Sequence, residues 1–282
     1  MKITDKVKEL IALTLREDIG DGDHSSISCI PESACGKMKL LIKQDGVLAG
    51  VDVAREVLRQ VDPNITMEVL MEDGTTVKKG DIAFVLSGSS RNMLTAERTL
   101  LNFMQRMSGI ATTTREYVDL VKDTDVILLD TRKTTPNMRI FEKYAVTVGG
   151  AQNHRFGLYD MIMLKDNHID FAGGIEKAID LANDYLKKNN LDIKIEIECR
   201  NLDDVERVMK HGGVHRIMFD NFTPELIRDG VKMVGHRFET EASGGIVRET
   251  LHDYAVTGVD FISVGAFTHH VASLDMSLKY WS

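Results

Sequence analysis

Basic side chains follow two short apolar runs in the second half of this 282-residue chain. Arg132 and Lys133 come after the first run, Lys165 follows the second, and Arg155 lies between them. A guanidinium group can donate two parallel hydrogen bonds to a carboxylate or phosphate, and an ammonium group adds a mobile positive charge. A solvated turn would explain one Arg-Lys pair alone. The further donors that follow favour a site for an anionic ligand.

His154 directly precedes Arg155, and its residue type leaves two interpretations open. A histidine in a site can donate a proton or contact the ligand. A histidine in apolar surroundings is more often a hydrogen-bonded part of the scaffold. The sequence favours neither interpretation over the other.

Two carboxylates, Glu198 and Asp220, close two later apolar runs. Their oxygens can hold a magnesium ion that carries a phosphate-bearing substrate, or they can accept hydrogen bonds from ribose hydroxyls. The alternative is a buried ion pair with a nearby arginine or lysine. Glycine turns further along the chain favour the functional interpretation.

Those turns are Ser243-Gly244-Gly245 and Val264-Gly265-Ala266, which follow the last two apolar runs. In α/β barrels such loops often hold a phosphate through backbone N–H groups and the start of a helix. Either turn alone is weak evidence. As a consecutive pair they predict a phosphate site at Ser243, Gly244 and Gly265.

The spacing of these residues predicts the fold that positions them. Glu198, Asp220, Ser243 and Gly265 follow one another at intervals of 22 or 23 residues, about one strand, one helix and two turns. Continuous apolar runs indicate strands buried on both faces, and parallel strands require helical crossovers. Reactive groups in such a barrel gather at the carboxyl ends of the strands. Residues 108–270 are therefore predicted to form an α/β barrel catalytic domain.

The first part of the chain lacks this spacing. Short strand-like segments alternate with helical ones, which predicts an α+β sandwich domain over residues 1–107. A long helical segment, 93–121, joins the two domains, with a break near Ser108-Gly109 as an alternative. The tail 271–282 also lacks the barrel spacing and is predicted to pack on the first domain.

Composition excludes several classes of protein. The net charge of −8 disfavours general binding of nucleic acid. No apolar stretch approaches the roughly 20 residues that span a bilayer, and the start of the chain lacks the apolar centre of a secretory signal. The three cysteines have no metal-binding spacing and their odd number argues against a disulfide framework. We therefore expect a cytoplasmic protein with no membrane or nucleic-acid partner.

Seven segments in the same order resemble the quinolinate phosphoribosyltransferase family. The resemblance runs from about Asp18 to Leu274, and its motifs are Ala96-Glu97-Arg98-Thr99-Leu100-Leu101-Asn102, Asp130-Thr131-Arg132-Lys133-Thr134-Thr135-Pro136, Glu142-Lys143-Tyr144-Ala145-Val146, Asn153-His154-Arg155, Lys165-Asp166-Asn167-His168-Ile169, Glu241-Ala242-Ser243-Gly244-Gly245-Ile246 and Ser263-Val264-Gly265-Ala266. The resemblance implies an incomplete (β/α) barrel, of class α/β, with an N-terminal α+β sandwich domain. It also implies that quinolinate and phosphoribosyl pyrophosphate are converted, with Mg²⁺, to nicotinate mononucleotide, pyrophosphate and CO₂ in NAD biosynthesis.

The resemblance also implies roles for individual residues. Four match positions around the quinolinate carboxylates: Arg132, His154, Arg155 and Lys165. Lys133 matches a position near the pyrophosphate, and Glu198 and Asp220 match carboxylates near the ribose and magnesium. Thr131 joins the substrate-binding set, and Ser243, Gly244 and Gly265 match the turns at the 5-phosphate. Lys133, Lys165, Glu198 and Asp220 form the expected catalytic set.

The same resemblance implies a homodimer, with a higher oligomer as an alternative. Arg98 matches an arginine that reaches into the partner's site, whereas its own helix would suggest only a surface salt bridge. Three residues depart from the family pattern: His24, Asn137 and Arg200. Arg200 leaves the charge around Glu198 uncertain.

Three other functions remain as alternatives. A pyrophosphorylase-like protein associated with molybdate uptake shares the fold and the Thr-Arg-Lys motif, although Lys165 and His154-Arg155 favour the quinolinate enzyme. Nicotinate phosphoribosyltransferase would accept a monocarboxylate. A phosphate-sensing barrel without catalysis would keep the glycine turns but would not need four basic groups.

Overall fold

The computed structural model describes residues 1–281, so Ser282, the last residue of the predicted tail, lies outside the described residues. The helices are α1 (Asp5–Ile19), α2 (His24–Cys29), α3 (Val51–Val61), α4 (Ser90–Leu120), α5 (Arg139–Gly149), α6 (Asp166–Ala172), α7 (Ile175–Asn189), α8 (Leu202–His211), α9 (Pro224–Val234), α10 (Leu251–Ala255) and α11 (Ala266–His269). The strands are β1 (Cys35–Ile42), β2 (Gly46–Val47), β3 (Thr66–Val69), β4 (Thr76–Val77), β5 (Ile82–Ser89), β6 (Ile127–Leu129), β7 (Ile162–Leu164), β8 (Ile195–Cys199), β9 (Arg216–Asp220), β10 (Glu239–Ser243), β11 (Phe261–Ser263) and β12 (Met276–Tyr280).

The chain divides into two compact units. The first contains Met1–Arg115, Thr135–Gly150 and the segment from His270 onward, and the second contains Glu116–Thr134 and Ala151–His269. Each unit therefore draws on more than one stretch of the sequence.

An antiparallel sheet forms the centre of the first unit, with the strand order β12-β1-β5-β3. Leu40 in the middle strand lies opposite Leu278 on one side and Phe84 on the other. Met38, Leu40 and Ile42 are all buried, since successive side chains of a strand point to opposite faces. The C-terminal strand β12 thus completes a sheet that begins near residue 35.

Helix α4 runs without interruption from Ser90 to Leu120, so the alternative of a break near Ser108 is wrong. The hydroxyl of Ser108 accepts a hydrogen bond from the backbone N–H of Ala49 (2.9 Å) and donates one to the carbonyl of the same residue (3.1 Å). A Cβ on Gly109 would overlap the backbone carbonyl of Ala272. The glycine therefore permits a close approach of two backbone segments and does not end the helix.

We expect Gly109→Ala to destabilise the protein, although alanine favours helices. The added methyl group meets backbone atoms that cannot rotate away, and overpacking of this kind costs roughly 1–3 kcal/mol. Chemical denaturation measures the change in the free energy of unfolding. Asn102→Ala, at an exposed position of the same helix, should leave stability equal or slightly higher. Equal stability of the two variants would contradict the role assigned to Gly109.

Six strands form a parallel sheet in the second unit, in the order β6-β11-β10-β9-β8-β7. Within the described residues, the ladder does not close from β7 back to β6; an isolated bridge joins Leu129 to Gln152 at the open edge. All five residues of β8 are buried, including Glu196 and Glu198. This sheet confirms the predicted incomplete barrel.

Helix α9 shows how the sequence builds the crossovers between these strands. Thr223 caps the helix by accepting a hydrogen bond from the N–H of Leu226, and Pro224 occupies the first turn. Gly235 ends it in a left-handed conformation at φ 57°, where glycine carries no Cβ penalty. Ile227 and Val234 bury one face. The crossover therefore starts, ends and packs where its sequence signals indicate.

Within residues 1–281, every helix is too short or too polar to cross a lipid bilayer.

Candidate active site

The segments after β6 and around residue 154 are tied together at the carboxyl end of the sheet. Asp130 is fully buried, and its Oδ1 accepts a hydrogen bond from the backbone N–H of His154 at 2.8 Å. Thr131 accepts a hydrogen bond from the N–H of Lys133 (3.1 Å), so its hydroxyl shapes the turn that carries the basic residues. Asp130 therefore holds the segment that carries Arg132 and Lys133 next to the segment that carries His154 and Arg155.

Arg132 and Arg155 lie close enough to repel one another. Burial and, after it, the positive charge of Arg132 lower the pKa of Arg155. One guanidinium N–H of Arg155 donates to the carbonyl of Met161 (3.3 Å). The carboxylates Glu196, Asp160 and Glu198 act in the opposite direction, and a bound anion would stabilise the two neighbouring cations further. The arrangement suits a ligand with more than one negative charge.

Lys165 and Glu198 form an ion pair at the ends of neighbouring strands, with Nζ 2.7 Å from Oε1. The lysine side chain is half exposed, whereas that of Glu198 is largely buried. This contact agrees with the alternative interpretation of Glu198, in which its carboxylate forms an ion pair with a nearby basic residue. It leaves the second carboxylate oxygen of Glu198 outside that bond. Arg200, which was considered for its effect on the charge around Glu198, forms an ion pair with Asp170 at 2.6 Å instead.

Asp220 ends β9 and is half-buried, with its Oδ2 accepting a hydrogen bond from the side-chain amide of Asn221 (2.9 Å). Glu198 lies opposite Met218 in the parallel ladder, and Asp220 is two residues further along the same strand. Because side chains alternate between the faces of a strand, Glu198 and Asp220 share one face of the sheet.

The two glycine turns are built for close approach. Gly244 has φ 93°, and an added Cβ would overlap the side chain of Asn221 and lie 3.0 Å from its backbone nitrogen. The Asn221 N–H also donates to the carbonyl of Ser243 at 2.8 Å. This turn therefore has no room for a side chain larger than that of glycine at position 244.

The second turn lies against the basic segment after β6. A Cβ on Gly265 would lie 2.8 Å from Nε2 of His269 and 3.4 Å from Cδ of Lys133. The hydroxyl of Thr268 donates to the carbonyl of Lys133 at 2.8 Å. The structure thus brings Lys133 and Gly265, which are distant in sequence, to one place.

Arg98 and Asn137 are described by their own surroundings. Arg98 is exposed on α4 and belongs to the first unit. Asn137, which stands where the family usually has glycine, has φ 63°. Asparagine tolerates this left-handed conformation better than most residues do, so the departure keeps the turn.

Beneath the basic segments lies a buried cluster that the sequence reasoning missed. Its members are His154, Glu196, Arg216 and Glu241, each exposed by 8% or less. Nε2 of His154 lies 2.9 Å from Oε2 of Glu196 and 3.3 Å from Oε2 of Glu241. Arg216 Nη1 contacts the same oxygen of Glu241 at 2.8 Å. Two acidic and two basic residues thus meet in the interior.

Both ring nitrogens of His154 face protein groups. Nδ1 accepts a hydrogen bond from the backbone N–H of Arg155 at 2.7 Å, so the ring proton belongs on Nε2, towards the carboxylates. Burial opposes a second proton on the ring, whereas the neighbouring carboxylates Glu196 and Glu241 favour one and raise the pKa of His154. A second proton on Nδ1 would displace the Arg155 N–H. Because that contact requires an unprotonated Nδ1, its geometry leads us to assign the neutral Nε2–H form.

A signal for this cluster does exist in the sequence. In Ile195-Glu196-Ile197-Glu198 the acidic residues alternate with isoleucine, which places both on one face of a strand. Glutamates in a strand buried on both faces need partners. Arg216 opens the next strand and lies opposite Glu196 in the ladder. Charged residues at alternate positions of an apolar run therefore indicate a buried cluster of paired charges.

Comparisons with family models, named proteins and solved structures all indicate the same protein family. The chain matches the family model described as "Quinolinate phosphoribosyl transferase, C-terminal domain" over residues 110–279 and the corresponding N-terminal domain model over residues 23–108. It is 43% identical to the chloroplastic "Nicotinate-nucleotide pyrophosphorylase [carboxylating]" of Arabidopsis thaliana, covering 97% of this chain and 82% of that protein. It is 41% identical to the "Probable nicotinate-nucleotide pyrophosphorylase [carboxylating]" of Bacillus subtilis, covering 97% and 93%. The crystal structure of NadC from Streptococcus pyogenes superposes with a TM-score of 0.94 at 38% identity, covering 100% of both chains.

Proposed function

The chain belongs to the quinolinate phosphoribosyltransferase family, and from that membership we propose how its residues carry out the reaction. The enzyme transfers a phosphoribosyl group from phosphoribosyl pyrophosphate to quinolinate with decarboxylation. The products are nicotinate mononucleotide, pyrophosphate and CO₂, and the reaction serves NAD biosynthesis. The observation that carries the residue assignment is that Asp130 ties the segments of Arg132 and Arg155 together, with the two guanidinium groups close enough for Arg132 to lower the pKa of Arg155.

Quinolinate is a diacid, and the basic residues match its charge. Arg132, Arg155 and Lys165 bind the two carboxylates, and His154 belongs to the same side of the site through its bond to the N–H of Arg155. Charge-assisted hydrogen bonds from guanidinium groups are strong and directional. They orient the pyridine nitrogen towards the sugar, which converts an encounter of two molecules into a reaction within one complex.

The phosphoribosyl donor is bound by the remaining residues of the site. Lys133 binds the pyrophosphate, and the adjoining turns at Ser243, Gly244 and Gly265 hold the 5-phosphate through backbone N–H groups. Glu198 and Asp220 face the ribose, where negative charge stabilises the positive charge that develops at C1. Thr131 sets the turn that presents Lys133.

The bond changes follow from these positions. The ring nitrogen donates its lone pair to C1 of the ribose, and the bond from C1 to pyrophosphate breaks with its electron pair leaving on oxygen. Lys133 stabilises that oxygen. The carboxylate next to the now positive nitrogen then leaves as CO₂, its bonding electrons stay on the ring carbon, and that carbon takes up a proton.

One assay tests this function. The purified protein with quinolinate, phosphoribosyl pyrophosphate and Mg²⁺ should release one CO₂ for each nicotinate mononucleotide formed. Nicotinate in place of quinolinate should give no product, because it lacks the second carboxylate. Turnover of nicotinate without CO₂ would favour a nicotinate phosphoribosyltransferase. Calorimetric binding of quinolinate with no turnover would favour a non-catalytic sensor.

Magnesium is the proposed cofactor. Glu198 and Asp220 offer carboxylate oxygens on one face of neighbouring strands, and such hard donors together with substrate phosphates suit this ion. When bound there, magnesium would neutralise charge on the pyrophosphate. We expect a chelator to abolish activity and excess Mg²⁺ to restore it. Magnesium-dependent binding of pyrophosphate, measured by calorimetry, should weaken in Asp220→Asn; equal affinity would contradict this placement.

A homodimer is the proposed assembly, with a higher oligomer as the alternative, and Arg98 is proposed to act in the partner's site. The inactive variants Arg98→Ala and Lys133→Ala test this by mixing after reversible dissociation. If Arg98 acts across the interface, half of the sites in each mixed dimer are intact, so about a quarter of wild-type activity returns. No recovery in a sample that contains mixed dimers would place Arg98 in its own subunit's site.

The composition bears on the partners of the protein and on its location in the cell. The acidic net charge of −8 argues against a nucleic-acid partner. We propose a cytoplasmic enzyme, which cell fractionation of the native organism tests directly.

A further inference from the structure

The buried cluster under the active site has no role in the reaction described above. His154, Glu196, Arg216 and Glu241 lie in the interior of the second unit, where charged groups are costly unless each is paired. Arg216 is paired with Glu241 at 2.8 Å and with Glu239 at 3.0 Å. Its guanidinium also stacks over the ring of Phe261 at 4.0 Å. Because these contacts hold Arg216 in place, the cluster can fix the position of the residues that it touches.

On the side that faces the candidate active site, the glutamates of this cluster contact the ring of His154. Nε2 lies within 2.9 Å of Glu196 and 3.3 Å of Glu241, and the backbone N–H of the same residue is held by Asp130. The ring is thus held at both its backbone and its tip. Its remaining nitrogen, Nδ1, accepts the N–H of Arg155. The chain of contacts therefore runs from the carboxylates, through the imidazole, to the backbone of Arg155.

We infer that Glu196, Glu241 and Arg216 are positioning residues, which act through the Nε2–H form of His154 to fix Arg155 for binding quinolinate. This inference rests on the proposed function. It assigns His154 to holding Arg155 from below, because both of its ring nitrogens are directed at protein groups. Arg155 needs such support, since it is held near the like charge of Arg132.

The same atoms resemble a metal site, since one ligand atom from each of His154, Glu196 and Glu241 lies within 4.8 Å of the others. Arg216 already supplies positive charge to the Glu241 oxygen that faces the histidine. A divalent ion there would have to displace or repel that guanidinium. The geometry therefore favours a protein-only cluster over a second metal centre.

Three glutamate-to-glutamine variants test the inference by steady-state kinetics. Glu196→Gln and Glu241→Gln keep the side-chain shape but remove the charge that faces His154. Glu239→Gln is the matched control, because Glu239 contacts the same Arg216 but not the histidine. We expect the first two to raise KM for quinolinate at least about tenfold while KM for phosphoribosyl pyrophosphate stays within about twofold. The control should change neither KM.

A spectroscopic measurement on the ligand-free protein tests the contact directly. In protein labelled with ¹⁵N-histidine, the signals missing from His154→Gln identify His154. We expect one protonated and one unprotonated ring nitrogen at neutral pH, and a shifted Nε2 signal in Glu196→Gln and Glu241→Gln but not in Glu239→Gln. If Glu241→Gln does not fold, Glu196→Gln alone decides the result.

Each outcome has a definite meaning. Unchanged KM for quinolinate in the folded variants, or equal rises in both KM values, would overturn the positioning role. A doubly protonated His154 ring in the wild-type protein would also overturn it, since Nδ1 could not then accept the Arg155 N–H. If the wild-type protein makes no nicotinate mononucleotide, the proposed function fails, whereas the ¹⁵N measurement still tests the contact to Arg155.

Discussion

Arg132→Ala should lower kcat/KM for quinolinate by roughly two orders of magnitude or more. Removing one partner of a hydrogen-bonded charge pair costs about 2–5 kcal/mol, because the ligand's carboxylate loses its partner after leaving water. Arg132 lies next to Arg155 in a half-buried setting, so solvent would replace the lost guanidinium poorly. Initial rates at varied quinolinate and saturating phosphoribosyl pyrophosphate measure the effect.

Arg228→Ala is the matched control for that experiment. Arg228 is a half-exposed arginine on α9 that pairs with Glu225 at 3.7 Å, and its loss should leave kcat/KM unchanged. Arg132→Lys keeps the charge but loses the planar pair of donors, so its activity should fall between those of the alanine variant and the wild type. Turnover of Arg132→Ala at the wild-type rate would remove Arg132 from the quinolinate site.

Arg216→Ala should destabilise the folded protein by roughly 3–5 kcal/mol, because it leaves Glu241 charged, buried and without its guanidinium partner. Glu239 is half-buried and also loses a partner. Equilibrium unfolding in denaturant, followed by circular dichroism, gives the change in the free energy of unfolding. The lost stability should be partly recovered by adding Glu241→Gln to the same chain.

Arg207→Ala offers the comparison on the protein surface. Arg207 forms two hydrogen bonds with Glu176, at 2.9 and 2.6 Å, but both side chains are about half exposed. Exposed pairs of this kind contribute about 1 kcal/mol or less. Similar losses of stability in Arg207→Ala and Arg216→Ala would show that burial of the Arg216 pairs carries no special weight.

The parallel sheet was predictable because its signals are local. Strands β6 and β7 are short apolar runs, helices α8 and α9 each have a capping residue at the start and a glycine at the end, and the spacing of 22 or 23 residues repeats. The carboxyl ends of parallel strands lie at one edge, so the basic and acidic residues that follow them could be placed together. In the structure Lys133 lies near Gly265, and Lys165 pairs with Glu198.

What could not be predicted depends on pairing between distant segments. Gly109 looked like a helix break, because its contact with Ala272 is invisible until the C-terminal segment is placed. The partners of Glu196 depend on the ladder that sets Arg216 opposite it. Arg98 could be assigned only through family resemblance, since its own helix shows an exposed residue on an amphipathic element.

The pairing of β12 with β1 has a consequence for synthesis on the ribosome. The sheet of the first unit cannot be completed until the strands of the second unit have been translated, because β12 follows them in the sequence. Until then, β1 keeps an open edge with unpaired backbone groups, which invites association with other nascent chains. Deletion of the five residues of β12 should therefore reduce the yield of native protein more than the loss of so short a strand would suggest, and chaperone dependence should be concentrated at the step in which β12 pairs.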